Sequence, residues 1–327
     1  MTHQPKAIIT GVGGQDGSYL AELLIAKGYK VWGVHRHHSS LSTTLPRLHK
    51  VINNDNFVLV HMDISDSSAV SRLVKDTAPD EIYNFAAQSH VKISFDIPTY
   101  TITNDLIGVQ NILEAARLHT PSAKIYQAGS SEMYGNESDD DGYRRETTRF
   151  NPVSPYACGK LYAYHLCKVY RESYGMFVVN GILFNHESPR RGVEFVTNKI
   201  VDGAIKIKQG EADSLGLGNL DAGRDWGHAK DFMEGVWLMM QHDKAEDWVC
   251  ATGETNTVRN VCEIVFSHLG LDYKDYVVIN PKYYRPTEVN HLKGDSSKLK
   301  NELGWSPKYT FSSMMKEMVE ERLKNEI

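Results

Sequence analysis

Apolar and polar positions alternate in two different ways along the first half of the chain. Short apolar runs predict β-strands at residues 6–10, 30–34, 57–61, 82–86, 124–128 and 177–184. The segments between them, such as SSAVSRLVKD and DLIGVQNILEAARLH, have apolar residues at helical spacing. Apolar strands that alternate with helices are typical of a parallel sheet covered by helices on both faces.

The pattern changes after about residue 187. Segments rich in charge and glycine, such as GNLDAGRDWGH, are mixed there with helical segments such as EGVWLMMQH. We therefore predict an α/β fold, with a Rossmann-type doubly wound parallel sheet in residues 1–186. A smaller C-terminal α/β substrate-binding lobe is expected in residues 187–327, with some exchange of chain between the two. In such folds the ligand binds at the carboxyl ends of the strands.

The composition narrows the choice of partners. The chain has 327 residues, 41% apolar and 24% charged, with a formal net charge of -5. It therefore offers no basic surface for nucleic acid or for an anionic membrane, and no apolar run approaches the ~20 residues that span a bilayer. The four cysteines, at positions 158, 167, 250 and 262, form no CxxC pair. We expect a cytoplasmic protein with reduced thiols, whose partners include neither nucleic acid nor membrane.

A glycine-rich turn follows the first predicted strand. Gly11, Gly14 and Gly17 have the spacing GxxGxxG and stand directly before a helical segment. Glycine permits a tight turn and a close approach of the backbone to a pyrophosphate, and the helix N-terminus offers free N–H groups to the phosphates. The place of the motif between a strand and a helix is the context that a dinucleotide site requires. The alternative is a purely structural turn.

The second predicted strand ends without the carboxylate that usually holds the ribose 2′-hydroxyl of NAD, and Arg36 follows it. A guanidinium suits the 2′-phosphate of NADP, so we expect NADP in preference to NAD. The alternative for Arg36 is a solvated basic turn. Asp63, just past the third strand, is expected either to accept a hydrogen bond from the adenine amino group or to cap the next helix.

A second motif, Tyr156-Ala-Cys-Gly-Lys160, follows Ser154 and Pro155. Serine is a good N-cap and proline a good first helical residue, so a helix is predicted to begin here. Residues four apart share one face of a helix, so Tyr156 and Lys160 point the same way. A nearby ammonium favours a phenolate, and we therefore expect Lys160 to lower the pKa of Tyr156 toward the working range of a base.

Ser130 and Glu132 follow the strand predicted at residues 124–128. Because strand ends face the ligand in this architecture, the Ser130 hydroxyl is placed to bind a sugar hydroxyl and the Glu132 carboxylate to move a proton on carbon. The alternative is a serine-rich turn with an exposed glutamate.

Longer motifs resemble the GDP-mannose 4,6-dehydratases, which belong to the extended short-chain dehydrogenase/reductase family. They are GQDGSYL after the glycine turn, AAQSHV, SEMYG, SPYACGK, FNHESPRRG, RDWGHA and RPTEV. The resemblance extends over essentially the whole chain. NHESPRRG and RDWGHA are far more specific than the glycine turn or the YxxxK spacing.

This resemblance implies the dehydration of GDP-mannose, or of a close relative such as a GDP-manno-heptose, with NADP regenerated in each turnover. Tyr156 would accept the proton of the sugar 4-hydroxyl, and Glu132 would remove the proton from C5. The positions implied for NADP are Gly11, Gly14, Gln15, Asp16, Gly17, Arg36, Asp63, Ile64, Ala86, Ala87, Ser89, Tyr100, Lys160, His186 and Arg191. Those implied for the GDP-sugar are Asn185, Lys199, Arg224, Arg285 and Glu288. A homodimer or homotetramer is also implied.

Three features depart from the family pattern. Ser130 stands where the family usually has threonine, which keeps the hydroxyl but loses the methyl group that restricts its rotamer. After Arg36 the chain has His37 and His38, whereas the family has an RRSS run that reaches a neighbouring subunit; the choice between dimer and tetramer therefore stays open. The charged loop at 137–145 either affects which sugar is accepted or is a solvated loop.

Other interpretations remain. A nucleotide-sugar epimerase or reductase shares the fold but needs no C5 base followed by loss of water. A non-catalytic NADP-binding sensor has no use for a tuned phenol. Surface salt bridges are the alternative for Arg190, Arg191 and Arg224. No metal site is expected at the histidines 35, 37 and 38, because no carboxylate or cysteine lies near them in the sequence.

Overall fold

A parallel seven-stranded sheet forms the centre of the computed structural model, which describes residues 3–36, 45–284 and 289–325. The strands in the described part of the chain are β1 (Lys6–Thr10), β2 (Lys30–His35), β3 (Phe57–His61), β4 (Glu81–Asn84), β5 (Lys124–Ala128), β6 (Val178–Leu183), β7 (Asn185–Glu187), β8 (Leu215–Leu217), β9 (Gly223–Arg224), β10 (Trp226–His228), β11 (Asp247–Cys250), β12 (Asn256–Thr257) and β13 (Val277–Ile279). The order across the large sheet is β11-β6-β5-β4-β1-β2-β3, with all neighbours parallel. The remaining strands form three short pairs, β7 with β10, β9 with β12 and β8 with β13.

Helices cover both faces of the large sheet. The helices in the described residues are α1 (Gln15–Ala26), α2 (Ser67–Thr77), α3 (Val91–Asp96), α4 (Pro98–Thr103), α5 (Val109–His119), α6 (Pro155–Tyr174), α7 (Val196–Lys208), α8 (Ala229–Gln241), α9 (Val258–His268), α10 (Ser297–Leu303) and α11 (Phe311–Asn325). A π-helical turn, Asn104–Gly108, joins α4 to α5. None of these helices has the length and apolar character needed to cross a bilayer.

The predicted α/β class with a doubly wound parallel sheet is confirmed. All six predicted strands are present, although β4 ends two residues before its predicted end and β6 is shorter at both ends. The sequence prediction missed β11, the edge strand beside β6. Its four residues, Asp-Trp-Val-Cys, are too short to show a period, so only pairing with β6 makes them a strand.

The large sheet separates two apolar cores. On one face α1 and α8 pack against the sheet, with Leu20, Leu24, Phe232 and Met239 fully buried. On the other face α2, α5 and α6 form a second core. Burial of residues on both faces of the strands explains why their sequences are apolar throughout and do not alternate.

The C-terminal part of the chain contributes a third core, formed by α7, α9 and α11. The segment between them returns to the large sheet, since α8 packs on α1 and β11 pairs with β6. The division of the chain into two lobes at residue 186 stays a prediction. The third core contributes Leu217, Trp226 and Val258 to a cavity at the carboxyl ends of the large-sheet strands, and so forms its far wall.

Candidate active site

A cavity of about 820 Å³ opens at the carboxyl ends of the strands of the large sheet. Every site residue predicted from the sequence that the structure describes lines this cavity: Gly11, Gly14, Gln15, Asp16, Gly17, Arg36, Asp63, Ile64, Ala86, Ala87, Ser89, Tyr100, Ser130, Glu132, Tyr156, Lys160, Asn185, His186, Arg191, Lys199 and Arg224. Arg285 and Glu288 lie outside the described residues. The roles of all these residues stay predictions, but their common location is an observed fact.

The glycine turn has the close backbone contacts that a dinucleotide site needs. Gly11 has a positive φ of 68°. A Cβ added at Gly17 would lie 2.6 Å from the carbonyl oxygen of Gly11 and 2.7 Å from the Cα of Val12, so only glycine fits between the turn and the first turn of α1. Gly14 is the N-cap of α1 and has no side chain that could accept hydrogen bonds from the first N–H groups of the helix, and residues 14–17 line the cavity, where an anion could bind these groups.

The adenosine end of the predicted cofactor site is formed after β2 and β3. The Arg36 guanidinium lies 5.3 Å from the centre of the Tyr100 ring. Asp63 accepts hydrogen bonds from the Ser65 backbone N–H (2.9 Å) and hydroxyl (2.8 Å) through one carboxylate oxygen. The alternative that Asp63 caps the next helix is wrong, because Asp66 is the N-cap of α2.

The predicted catalytic helix is present as α6. Ser154 is its N-cap and accepts a hydrogen bond from the backbone N–H of Ala157 at 3.1 Å, and Pro155 is the first helical residue. Tyr156 and Lys160 both point into the cavity, with the ammonium 5.7 Å from the centre of the phenol ring. Lys160 Nζ donates a hydrogen bond to the carbonyl oxygen of Ala128 at the end of β5, 3.0 Å away.

The expected effect of Lys160 on Tyr156 is wrong for the chain by itself. Burial raises the pKa of the Tyr156 phenol above its ordinary value, and the negative charges of Asp105 and Glu132 raise it further. A hydrogen bond with Ser130 lowers the pKa only in part. Burial also lowers the pKa of Lys160, although Asp105 opposes this. The protein alone therefore holds Tyr156 as the neutral phenol.

Ser130 and Glu132 stand at the end of β5, opposite α6. Ser130 has extended backbone geometry and caps a short 3-10 turn, Ser131–Tyr134, by accepting a hydrogen bond from the Glu132 backbone N–H at 3.2 Å. Glu132 is 6% exposed. The alternative of a turn with an exposed glutamate is therefore wrong, since the carboxylate is enclosed in the cavity wall.

Asp16 and His186 connect the glycine turn to β7. Asp16 Oδ2 lies 2.9 Å from His186 Nε2, while His186 Nδ1 lies 2.7 Å from the carbonyl oxygen of Phe184. Burial by itself raises the pKa of Asp16, but the charges of His186 and Arg191 outweigh it and the net pKa is lowered. Burial by itself lowers the pKa of His186, but Asp16 outweighs it and the net pKa is raised.

The predicted GDP-sugar residues lie on the far wall. Arg224 is buried and donates to the carbonyl oxygens of Gly223 (2.9 Å) and Val289 (2.6 Å). Lys199 donates to the carbonyl oxygen of Gly216 and lies 3.4 Å above the ring of Tyr283. The Asn185 side-chain oxygen is buried and has no hydrogen-bond partner among the described residues. A polar ligand in the cavity would satisfy it.

The three arginines differ in their contacts. Arg190 forms a salt bridge with Glu22 at 2.5 Å, as the alternative to phosphate binding predicted, and its guanidinium stacks on the ring of Tyr19. Arg191 lies beside Glu187 at 3.1 Å and over the ring of Phe195 at 3.5 Å. Arg224 is buried against backbone carbonyls, so surface salt bridging does not describe it.

The loop at 137–145 is an ordered ion-pair cluster. Arg145 binds Asp139, Asp141 and Asp295 at 2.7–2.8 Å, which joins the loop to the segment before α10. Among the described lining residues of the cavity, none comes from this loop. Residues 138 and 140–142 are exposed, so the structure agrees with a solvated charged loop and shows no part of it in the cavity wall.

Sequence reasoning missed two groups at the site. Arg47 donates to the carbonyl oxygens of Gly13 (3.2 Å) and Arg190 (2.7 Å), so it braces the glycine turn against the NHESPRRG segment. Arg47 is part of no recognisable motif, so nothing in the sequence indicated this role. Asp105 interacts electrostatically with both Tyr156 and Lys160. The sequence did contain an indication of it, because Asp105 is a carboxylate on the apolar face of a predicted helix, in line with the buried residues Val109, Ile112 and Ala116.

No group of three metal-binding side chains occurs in the described residues. His37 and His38, with the rest of the segment that departs from the family pattern, lie outside the described residues.

Comparisons with known proteins find similarity along nearly the whole chain. A family model described as GDP-mannose 4,6 dehydratase matches residues 8–318. The chain is 47% identical to GDP-mannose 4,6 dehydratase 1 of Arabidopsis thaliana, over 97% of this chain and 89% of that one. It is also 47% identical to GDP-mannose 4,6-dehydratase of Vibrio cholerae, over 98% and 94%. Among solved structures, dTDP-glucose 4,6-dehydratase DesIV of Streptomyces venezuelae, with NAD and TYD bound, is similar at a TM-score of 0.86 and 25% identity, over 98% and 97% of the two chains.

Proposed function

The chain belongs to the GDP-mannose 4,6-dehydratase family, and from this premise we propose how its residues act. The enzyme is a nucleotide-sugar hydro-lyase that converts GDP-mannose, or a closely related GDP-hexose or GDP-heptose, to the 4-keto-6-deoxy sugar. The observation that carries the assignment of roles is the placement of Ser130, Glu132, Tyr156 and Lys160 around one cavity, on β5 and α6. An epimerase or reductase has no need of the enclosed Glu132 carboxylate.

Tyr156 begins the reaction as a base. Its phenolate oxygen accepts the proton of the sugar 4-hydroxyl, while the Ser130 hydroxyl hydrogen-bonds the same region of the sugar. A nicotinamide dinucleotide bound here would supply hydride transfer from C4 and back to C6, and the positive charge of its oxidised form would favour the phenolate. Lys160, held by the carbonyl of Ala128, adds a second positive charge on the same side.

Glu132 carries out the elimination. The ketone at C4 acidifies the hydrogen on C5, and the Glu132 carboxylate removes it as a proton. The C6–O bond then breaks, and the C6 oxygen leaves as water by taking the proton that Glu132 has just accepted. The Tyr156 phenol gives its proton to C5 as the sugar returns to a saturated carbon skeleton. The two protons removed, from O4 and C5, equal the two delivered, to the leaving water and C5.

The residues present fit a nicotinamide dinucleotide. The space at Gly17 admits no Cβ, the N-terminus of α1 faces the cavity, and Arg36 with Tyr100 closes the adenosine end. We propose NADP as the cofactor because Arg36, and no carboxylate, follows β2. Gly11, Gly14, Gln15 and Asp16 would hold the pyrophosphate, and Lys160, His186 and Arg191 the nicotinamide side.

The GDP moiety would lie against the C-terminal wall. Arg224 and Lys199 provide positive charge for its two phosphates, and Asn185 offers an unsatisfied polar side chain. By resemblance, Arg285 and Glu288 would complete the site, with the carboxylate on the guanosine portion.

We further propose that the chain forms a homodimer or a homotetramer. Large apolar side chains are exposed on and beside α4, α5 and α6, where α6 packs against both α4 and α5: Ile97, Ile102, Ile107, Leu118, Tyr162 and Val169, at 39–62%. Such a group of apolar residues on one region of a surface is typical of an interface. Light scattering of the purified protein measures the assembly directly.

A cytoplasmic location is also proposed. All four cysteines are free thiols, three of them buried, as expected in a reducing compartment.

Incubation with GDP-mannose and mass spectrometry of the nucleotide sugar test the function. We expect a product lighter by one water, with no net consumption of NADP, and none with Tyr156→Phe. An isomer of unchanged mass would indicate an epimerase, and a product heavier by two hydrogens a reductase. The absence of any product from GDP-hexoses and GDP-heptoses would favour a non-catalytic sensor.

A further inference from the structure

Asp105 is a buried carboxylate that the proposed mechanism does not use. It lies in the π-helical turn Asn104–Gly108, is 2% exposed, and belongs to none of the assigned cofactor or substrate positions. Neither of its carboxylate oxygens forms a hydrogen bond of ordinary geometry with a described residue. A buried charge in this state is costly unless another charge compensates it. π-Helical turns are rare and frequently occur at functional sites.

The turn presses Asp105 against the middle of the YxxxK motif. A Cβ added at Gly159 would lie 3.0 Å from the Asp105 Cβ and 3.2 Å from its Oδ2. Gly159 stands on α6 between Tyr156 and Lys160, so glycine at this position allows the carboxylate to approach the catalytic helix. Asp105 is not among the residues that line the cavity, so it approaches α6 from outside the cavity wall.

The charges around Asp105 belong to the catalytic pair. In the described part of the chain, the groups that interact electrostatically with its carboxyl are the Lys160 ammonium, the Tyr156 phenol and the backbone amide of Gln88. Burial raises the pKa of Asp105 to about 6, and Lys160 opposes that rise. The helices α4 and α5, which also contact the turn, contribute no charged group to it among the described residues.

Lys160 needs such a counter-charge. Its Nζ donates to a neutral carbonyl, that of Ala128, and burial would otherwise favour loss of its proton. The Asp105 carboxylate is the group that most strongly supports the ammonium form. Because the site is buried, such an interaction acts over a longer distance than it would in water.

We propose that Asp105 is a positioning residue of the active site, whose buried carboxylate is the counter-charge that holds the Lys160 ammonium and sets the charge balance around Tyr156. The proposal rests on the roles proposed above for Tyr156 and Lys160. It extends the site by a residue that packs against α6 at Gly159 and does not line the cavity.

Nuclear magnetic resonance of protein labelled with 13C at tyrosine Cζ tests the coupling without substrate. The Tyr156 signal is assigned with Tyr156→Phe. We expect its chemical shift to change with an inflection near pH 6, as Asp105 gains or loses its charge, and the inflection to vanish in Asp105→Asn. Asp96→Asn removes an exposed carboxylate from α3 and should leave the inflection unchanged.

Kinetics provide the second measurement. Asp105→Asn is expected to lower kcat about tenfold with little change in KM, and to move the acid limb of the kcat profile, whereas a purely structural role would leave that limb in place. Gly159→Ala, which displaces the carboxylate without removing its charge, should lower kcat but keep the inflection in the Tyr156 signal.

Two results would overturn the proposal. One is an inflection that persists in Asp105→Asn. The other is an unchanged kcat profile in an Asp105→Asn protein that unfolds at the wild-type temperature. If the chain dehydrates no GDP-sugar but the inflection behaves as expected, the proposed function fails and the coupling stands. If dehydration occurs without the coupling, only this inference fails.

Discussion

The Asp16 carboxylate and the His186 imidazole lie 2.9 Å apart, although 170 positions separate them in the chain. Asp16 is on the first turn of α1, and His186 is on β7, where its ring stacks on Phe232 at 4.8 Å. The pair therefore joins the glycine turn to the NHESPRRG segment. Both side chains line the cavity, so the same contact that closes the fold also shapes the proposed cofactor site.

Removal of the contact between Asp16 and His186 should lower the free energy of unfolding by an amount that depends on pH. We expect His186→Gln to lower the free energy of unfolding by about 1–3 kcal/mol at pH 6. The folded-state pKa of His186 is raised above 6.5, so its contribution is fully present below pH 6.5 and is lost as the pH rises through the folded value. Denaturant unfolding at pH 6 and pH 9 measures the difference.

The exposed His165 provides the control, since His165→Gln should change stability little at either pH. A loss in His186→Gln that is the same at both pH values would contradict a charged pair. Calorimetric titration with NADP should also show weaker binding to His186→Gln.

Glu132→Gln separates dehydration from oxidation. The amide cannot accept the C5 proton, so we expect the rate of water loss to fall about 10²- to 10⁴-fold. Oxidation at C4 needs only Tyr156 and the cofactor, so the reduced nicotinamide should accumulate on the enzyme and be visible by its absorbance. Unchanged turnover in Glu132→Gln would refute the proposed role.

Within the glycine turn, substitution by alanine should be more harmful at Gly17 than at Gly14. In Gly17→Ala the added Cβ meets backbone atoms of Gly11 and Val12 at 2.6–2.7 Å, and backbone cannot move aside cheaply. We expect a loss of about 1–3 kcal/mol in stability, despite the better helix propensity of alanine, together with weaker NADP binding. Gly14→Ala places its Cβ 3.1 Å from the same carbonyl and should destabilise the fold less. Equal thermal midpoints for the two variants would argue against this steric explanation.

A partly buried ion pair at the sheet edge should contribute to stability against acid. Asp247 at the start of β11 accepts hydrogen bonds from Arg171 (2.6 Å), Tyr164 (2.7 Å) and Asn180 (2.9 Å). Burial raises the pKa of Asp247, but Arg171 and the hydroxyl and amide donors outweigh it and the net pKa is below 3.8. Its stabilising effect is therefore present above about pH 4 and is lost as the pH falls through the folded value.

Asp247→Asn leaves the Arg171 charge without its partner, so we expect a loss of about 3 kcal/mol at pH 7. The difference from wild type should shrink below pH 3. Asp243→Asn, an exposed neighbour, serves as the control and should unfold like the wild type in guanidinium at both pH values. A difference that does not depend on pH would indicate lost packing and not a lost charge.

Local signals predicted which segments of the chain meet at the cavity. The glycine turn, the YxxxK helix and the Ser130–Glu132 segment each follow a strand, and the carboxyl ends of parallel strands meet at one edge of a sheet. That rule alone brings the three together. Ser154 and Pro155 were enough to start α6, because capping depends on neighbouring residues.

Contacts between distant segments were beyond the sequence. The strand β11 has no period of its own and exists because β6 offers it a partner. Arg47 braces the glycine turn from a segment without a motif, and the loop at 137–145 is held by Asp295, which is 150 residues from Arg145.

The sequence by itself determined the alternation of strands and helices in the first half of the chain, the family, and many of the side chains that reach the cavity, because these follow from short-range periodicity and from motifs. Only the tertiary structure decided the state of those side chains. Burial and the charges of Asp105 and Glu132 keep Tyr156 a neutral phenol, against the expectation from Lys160. The protonation of a group depends on its depth and on every charge around it, and both arise only when distant parts of the chain have packed together.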